Sequence, residues 1–344
     1  MIGMILCGGF GKRLKPITEQ IPKGLIELRQ NYTILDKQLL RFKNSGIEKV
    51  ILLIGHMGQK IKERYGKVWG GLEIRYVGSE PKGTLTDFQE ALKNVNEDVV
   101  LSNGDNVWDM NLKKFIQISI KSKFPATIYL TKMVSPYGIV EINDERVKTF
   151  REKPILDHYI NAGVYFLKPE IFGYFMKFRS GDIERQVFPE LATNGLVGYY
   201  IEDSFWAGVD TEKDLDVVLK EFKNRIDKPW GYEKIIVSTE KYLTKELYIM
   251  EGYHTSMHYH NKKDETLYIM EGSGYVEFDD GTRQSFSKND KIRIKPKTIH
   301  SIVAIENTII HEYSTPYPDD TIRVNDPYVR SNQNETKSKS SIKD

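Results

Sequence analysis

The hydrophobic pattern of this chain changes period once, near residue 227, and that switch limits the folds open to it. Before it, short β-branched or apolar runs alternate with amphipathic segments. The runs Ile2–Leu6, Val50–Ile54, Glu73–Val77, Val99–Ser102, Thr127–Thr131, Val140–Ile142, Gly163–Leu167 and Val197–Ile201 read as strands. Between them, Leu35, Leu39, Leu40 and Phe42 recur at near-helical spacing before a stop at Gly46. Phe88, Ala91 and Leu92 follow Thr84, a residue type that caps helices. Such alternation predicts a mainly parallel, doubly wound α/β sheet. From Lys228-Pro229-Trp230-Gly231 onward the pattern is different. Between Ile235 and Tyr313 short strands are punctuated by Glu251-Gly252, Asp279-Asp280-Gly281 and Lys288-Asn289-Asp290, with no helical stretch. That reads as a small antiparallel barrel or sandwich. The last segment, Ser331–Asp344, is polar and rich in Lys and Ser, and is expected to be a disordered tail. The expected organisation is one domain over 1–226, a second over 227–330 and a tail over 331–344, without internal repeats.

Composition removes several function classes. The net charge is +2, too balanced for a nucleic-acid binder. The single cysteine, Cys7, excludes an internal disulfide framework and a Cys-rich zinc site. No apolar stretch approaches about 18 residues, so no membrane span is expected. Met1–Leu6 runs into Gly8, Gly9 and Lys12-Arg13 rather than a cleavage site, and a cytoplasmic location is expected. Histidine is distributed unevenly: His56 and His158 precede residue 254, whereas His254, His258, His260, His300 and His311 follow. The two halves should therefore carry different chemistry.

The first strand leads directly into Leu6-Cys7-Gly8-Gly9-Phe10-Gly11-Lys12-Arg13-Leu14-Lys15-Pro16. Glycines there let the backbone approach a bound group and turn N–H donors toward an anion. Lys12, Arg13 and, further on, Lys23 add fixed cations, so the segment suits a polyphosphate. A tight surface turn with solvated cations is the simpler alternative. Ser102-Asn103-Gly104-Asp105 ends an apolar strand, where open α/β sheets bind ligands, and a carboxylate there suits Mg²⁺. An ordinary Asn-Gly-Asp turn would look the same.

Taken together, these segments resemble the sugar-1-phosphate nucleotidylyltransferase family. Its GGxGTRLxPxT…PKPL signature stands here as Gly8–Thr18 and then Pro22-Lys23-Gly24-Leu25. Further matches follow in order: Gly83-Thr84, Asn103-Gly104-Asp105, Tyr137-Gly138-Ile139-Val140, Phe150-Arg151-Glu152-Lys153-Pro154, Asn161-Ala162-Gly163, Asp182-Ile183-Glu184, and Phe205-Trp206 with Val209-Asp210-Thr211. The resemblance implies a Rossmann-like mixed sheet of the nucleotide-diphospho-sugar transferase type. It implies that Leu6, Gly8, Gly9, Gly11, Gly83 and Thr84 bind the nucleotide. Arg13 would hold the β,γ-phosphates and Lys23 the α-phosphate. Asp105 would bind Mg²⁺, with Asp210 as the second carboxylate. Gly138, Glu152, Asn161 and Glu184 would face the sugar, and Lys153 its phosphate. The implied partners are an NTP and a sugar 1-phosphate, in a homo-oligomer, as a dimer. Lys12 stands where the family has Thr, Gly24 where it has Pro, and Leu85-Thr86 where Ala-Gly is common. The base stays open between GTP, CTP, UTP and dTTP. Asp210 also reads as an N-cap for a helix over Lys213–Phe222.

In the second half, His258 and His260 at i, i+2 on one strand share a face. Glu265 and His300 could complete a three-His, one-carboxylate site for a divalent transition metal: Zn, Mn, Fe, Co or Ni. The spacing resembles the first cupin motif, and Ile294–His300 the second. Lys228–Gly231 and Asp320–Arg330 resemble the flanks of the isomerase domain in the type II mannose-6-phosphate isomerase/mannose-1-phosphate guanylyltransferase family. That resemblance implies an all-β cupin barrel and favours GDP-mannose-type synthesis. Isomerisation of a sugar phosphate and a non-catalytic binding or dimerisation role both stay open for the cupin. His254 and His311 match no ligand position.

Overall fold

The computed structural model describes residues 1–78 and 83–328, so the expected tail over 331–344 lies outside the described residues. The chain divides into two compact units, Met1–Val218 and a second from Leu219 onward.

The first unit is built on eight strands. In chain order they are β1 (Ile2–Cys7), β2 (Lys49–Ile54), β3 (Val68–Trp69), β4 (Leu72–Val77), β5 (Val99–Asn103), β6 (Ala126–Val134), β7 (Ile155–Leu167) and β8 (Val197–Ile201). They lie in the order β8-β6-β7-β5-β1-β2-β4-β3. β1 pairs in parallel with both β2 and β5, β2 with β4, and β8 with β6. β7 runs antiparallel between β5 and β6, and β3 against β4, so the sheet is mixed. Period-two alternation sends side chains to two cores. Val50, Leu52 and Ile54 of β2 join Phe42 and Phe115 on one face, while Ile51 and Leu53 join Phe88 and Phe175 on the other. Each such aliphatic side chain contributes about 1.5–3 kcal/mol by leaving water.

Six helices matter for the site or its frame: α1 (Ile34–Asn44), α2 (Gly58–Tyr65), α3 (Thr84–Leu92), α4 (Leu112–Lys121), α5 (Ile183–Thr193) and α6 (Glu212–Phe222). A Thr33–Asp36 capping box starts α1. Thr84 does not cap α3 as the sequence suggested: Gly83 holds the cap position and Thr84 is the first helical residue. Val140–Ile142 likewise stands apart from the main sheet, inside a separate two-stranded ribbon, Ile139–Asn143 against Arg146–Arg151. No helix among the described residues is long and apolar enough to cross a membrane.

The second unit is β-rich. Its strands are β9 (Arg225–Lys228), β10 (Gly231–Ser238), β11 (Leu243–Ile249), β12 (Met257–His260), β13 (Glu265–Glu271), β14 (Gly274–Phe278), β15 (Arg283–Phe286), β16 (Lys291–Ile294), β17 (His300–Ala304), β18 (Thr308–Ser314) and β19 (Thr321–Asn325). They form two antiparallel sheets, β9-β10-β11-β18-β13-β16 and β15-β14-β17-β12-β19. Among the described residues no strand ladder closes the two sheets into a barrel. Leu247, Ile249, Leu267 and Ile310 of one sheet pack with Val276, Ile302 and Ala304 of the other.

Candidate functional site

β1 and β5 are parallel neighbours, so their carboxyl ends reach the same rim, with Leu6 level with Asn103. There the Gly104 N–H donates to the Leu6 carbonyl at 2.9 Å. A Cβ on Gly104 would stand 2.5 Å from that oxygen, so the two chain segments can approach only without a side chain. The loop after β1 turns at Gly11, φ 60°, and Thr18 Oγ1 donates to the Gly11 carbonyl at 2.8 Å. Arg13 and Lys23 follow from two single-turn 3-10 helices, Lys12–Leu14 and Lys23–Leu25.

The two acids meet because a short strand pair brings their loops together. Asn106–Trp108 pairs antiparallel with Trp206–Gly208, and the Val209 N–H donates to the Asp105 carbonyl at 3.0 Å. Lys23 Nζ bridges the acids, 2.9 Å from Asp105 Oδ2 and 2.7 Å from Asp210 Oδ1. Arg13 Nη2 lies 2.9 Å from the same Asp210 oxygen. Asp210 is therefore not the cap of α6. Thr211 takes that place, its N–H and Oγ1 both donating to Asp214 Oδ2, at 2.8 and 2.9 Å.

Charge balance follows from burial. Lys23 is 13% exposed, against 38% and 41% for Asp105 and Asp210. Burial alone would lower the Lys23 pKa, but the charge of Asp105 and the hydrogen bonds that Lys23 donates to both acids outweigh it and push it up. Burial would raise Asp210, yet Lys23 and Arg13 hold its carboxyl below the usual range. Two ionised oxygen donors gathered at one point suit a hard cation such as Mg²⁺.

The remaining expected positions fall into three groups. Gly83, φ 96°, opens α3, and the buried Thr84 Oγ1 has no hydrogen-bond partner among the described residues. Asn161 and Glu184 are joined through Tyr165, whose hydroxyl accepts from Asn161 Nδ2 at 2.7 Å and donates to Glu184 Oε1 at 3.2 Å. Asn103 Nδ2 also donates to Glu184, at 3.4 Å. Gly138 and Glu152 adjoin at the foot of the ribbon, where a Cβ on Gly138 would stand 3.0 Å from Glu152 Oε2. Lys153 follows in a left-handed conformation, φ 44°, and its ammonium makes no ion pair among the described residues. Sequence reasoning missed Tyr165, which looks like one more apolar residue in β7.

The second unit gathers His258, His260 and His300, with ligand atoms all within 4.8 Å of one another. β12 supplies the first two, and His258 pairs across the sheet with His300 of β17. Each Nδ1 lies on a backbone carbonyl: His258 on Ser256 at 2.7 Å, His260 on Asp320 at 2.9 Å, and His300 on Thr298 at 3.0 Å. That fixes the proton on Nδ1 and leaves Nε2 as a lone-pair donor. Among the described residues the buried Nε2 atoms of His260 and His300 have no hydrogen-bond partner. Burial first, and then neighbouring His300, push His258 down to about 3, and burial also lowers His260. Glu265 Oε1 is 3.1 Å from His300 Nε2 and its Oε2 is 3.5 Å from His260 Nε2. Orphaned imidazole nitrogens beside a carboxylate fit a borderline divalent transition metal. His254 and His311 lie outside the cluster, with Thr255 and Glu246 as their respective neighbours.

Two participants were invisible in the sequence. Buried Lys263 bridges Glu265 Oε2 at 2.6 Å and Glu312 Oε1 at 2.9 Å. Asp320 accepts from His260 through its carbonyl and from the Lys262 and Lys263 N–H groups through Oδ2. Further along the same sheet, Glu233 lies 3.6 Å from Lys228 and 3.5 Å from Lys245. Burial would raise Glu233, but the two lysines hold it far below the usual 4.5. Its contribution is thus present above about pH 4.5 and lost as pH falls further. Glu233→Gln is expected to flatten the acid limb of stability, read as urea midpoints at about pH 7 and about pH 4.

The sequence model of the nucleotidyl transferase family matches residues 2–221. The chain is 28% identical over 238 residues to a protein of Bacillus subtilis named probable glucose-1-phosphate cytidylyltransferase, covering 62% of this chain and 93% of that protein. It is 30% identical over 233 residues to the mannose-1-phosphate guanyltransferase of Aspergillus fumigatus, covering 62% of each. The chain therefore spans less than two thirds of that guanyltransferase. Among solved structures, HddC from Yersinia pseudotuberculosis superposes with a TM-score of 0.51 at 21% identity, covering 64% of this chain and 99% of HddC. UDP-glucose pyrophosphorylase complexed with UDP-glucose superposes with a TM-score of 0.52 at 16% identity, over 64% and 97%.

Proposed function

The chain belongs to the nucleotidyl transferase family, and from that premise we propose that its first unit transfers a nucleotidyl group from an NTP to a sugar 1-phosphate, releasing pyrophosphate. The observation that carries this reading is the meeting of Arg13, Lys23, Asp105 and Asp210 at the rim where β1 gives way to its glycine loop. Arg13 and Lys23 neutralise the polyphosphate, Arg13 at the β,γ-phosphates and Lys23 at the α-phosphate. Asp105 and Asp210 would hold Mg²⁺, which when bound offsets charge on the phosphates. Leu6, Gly8, Gly9, Gly11, Gly83 and Thr84 take the nucleotide, the orphaned Thr84 hydroxyl supplying a polar contact. Asn161 and Glu184, pre-oriented by Tyr165, hold the sugar with Gly138 and Glu152, and Lys153 meets its phosphate. The rest is positioning: the sugar-phosphate oxygen is held in line with the α-phosphorus.

GDP-mannose-type synthesis is the favoured product, supported by the named activity of the Aspergillus fumigatus relative. The Bacillus subtilis relative supports a cytidine nucleotide instead. A pyrophosphate-release matrix of the four NTPs against a panel of sugar 1-phosphates separates them. GTP with mannose 1-phosphate is expected to be the fastest pair, and no release from any pair would overturn the assignment.

The second unit, on this reading, is a metal-binding cupin. The two unsatisfied Nε2 atoms carry it. Interconversion of mannose 6-phosphate with its ketose phosphate, abolished by chelation, would make it an isomerase. An inert, metal-loaded unit would make it a binding module.

A further inference from the structure

Lys262 and Lys263 stand side by side in the loop between β12 and β13, yet they go opposite ways. Lys262 is exposed, its ammonium 5.7 Å from the centre of the Tyr317 ring. Lys263 turns inward until its side chain is 4% exposed. Its backbone N–H donates to Asp320 Oδ2 at 2.9 Å, and the Asp320 carbonyl holds Nδ1 of His260 at 2.9 Å. One residue therefore anchors both this lysine and a histidine of the cluster. At the far end, the Lys263 ammonium sits between Glu265 Oε2 at 2.6 Å and Glu312 Oε1 at 2.9 Å, and both acids are as deeply buried as the lysine. Glu312 Oε1 also accepts from Ser314 Oγ, at 3.1 Å. Lys245, 3.5 Å from Glu233, adds its positive field to the same two glutamates.

Such an arrangement adds little net stability, because desolvating an ammonium and two carboxylates offsets most of their attraction. Its effect falls on Glu265, whose two oxygens are not equivalent. Oε1 faces His300 Nε2 at 3.1 Å, whereas Oε2, 3.5 Å from His260 Nε2, already accepts from the ammonium. We infer that Lys263 is a positioning residue that sets which ions the cluster takes. It withholds Glu265 Oε2, so a metal meets three imidazole nitrogens and a single oxygen whose charge is already offset. Imidazole nitrogen favours Zn, Fe and Ni, whereas carboxylate oxygen favours Mn, Mg and Ca. Affinity for hard ions also rises with the charge of the ligand set, and the ammonium lowers that charge. The cluster therefore selects nitrogen-seeking ions and discriminates against oxygen-seeking ones. This rests on the metal-binding reading of the second unit and adds to it the residue that governs selectivity.

Ni²⁺ and Mn²⁺, each added alone to the metal-stripped full chain, are titrated by calorimetry. The wild-type chain is expected to bind Ni²⁺ the more tightly. Part of that gap is common to any nitrogen-rich site, so the readout is the change in the affinity ratio on substitution. Lys263→Met keeps an unbranched stem and frees Glu265 Oε2. The Ni²⁺/Mn²⁺ affinity ratio is expected to fall about tenfold, through tighter Mn²⁺ binding. Lys263→Arg keeps a cation against Glu265 and should restore most of the wild-type ratio. Because Lys263→Met leaves Glu265 and Glu312 buried without the ammonium between them, Lys263→Met with Glu312→Gln is made alongside, removing one charge of each sign. It should show the same fall, with circular dichroism confirming the fold. A ratio unchanged by these substitutions, or both ions weakened by the same factor, would make Lys263 a mere strut of the loop and overturn the inference. A wild-type chain that binds neither ion would instead overturn the metal reading beneath it.

Discussion

Replacing Asp105 with asparagine is expected to lower pyrophosphate release by about three orders of magnitude while leaving the fold intact. The amide preserves the shape and the hydrogen bonding of the turn, whose backbone is held by the Gly104 and Val209 contacts rather than by the side chain. What it removes is one of the two negative oxygens on Lys23. Losing a preorganised charge at a phosphoryl centre typically costs about 10²–10³ in rate, and losing half of a metal's carboxylate set adds to that. Asp210→Asn should fall in the same range, because Asp210 also orients Arg13. Steady-state release with the fastest substrate pair reads the effect, and urea midpoints confirm that stability is unchanged. An Asp105→Asn enzyme as fast as wild type would defeat the mechanism assigned to this rim.

Removing metal should have the second large effect. The purified chain is expected to carry about one transition-metal ion, lost to a strong chelator and lost from His300→Ala. His254→Ala, outside the cluster, should keep it. At a thousandfold excess of metal over its dissociation constant the bound state gains about 4 kcal/mol. For a unit of this size that is on the order of 15 °C in melting temperature. Elemental analysis and thermal melts of holo, chelated and reloaded protein check it. If none of Zn, Mn, Fe, Co or Ni binds or raises the melt, the three imidazoles are structural.

The parts of this molecule that were legible in sequence are those with a strong period. β1, β2 and β5 announce themselves as apolar runs because their residues are buried on both faces of a largely parallel sheet, whereas edge strand β8 exposes Tyr199 and Ile201. The pair Asn106–Trp108 and Trp206–Gly208 gave no signal. Each is three residues long, yet this pair is what brings Asp105 to Asp210. Asp210 itself stayed ambiguous because an acid before a helix looks like a cap, and only the hydrogen bonds of Thr211 settle which residue caps. Thr84 misled for the converse reason: threonine favours caps, but the left-handed φ required there selected Gly83. His258 and His260 were readable because i, i+2 on a strand fixes a shared face. Lys263 was not, since one lysine in a polar loop looks solvated, and nothing local says that it turns inward between two glutamates.

The bridge that Lys23 makes between Asp105 and Asp210 also bears on selectivity among the many anions of a cell. At this rim Arg13, Lys23, Asp105 and Asp210 are already matched to one another. A bare polyphosphate or inorganic phosphate arriving alone would have to pull both cations away and strand two carboxylates. An anion that brings its own divalent counter-ion instead trades partners, cation for cation and acid for acid. The rim should therefore turn away free phosphates and admit the metal-complexed triphosphate, a filter that operates before the base or the sugar is read.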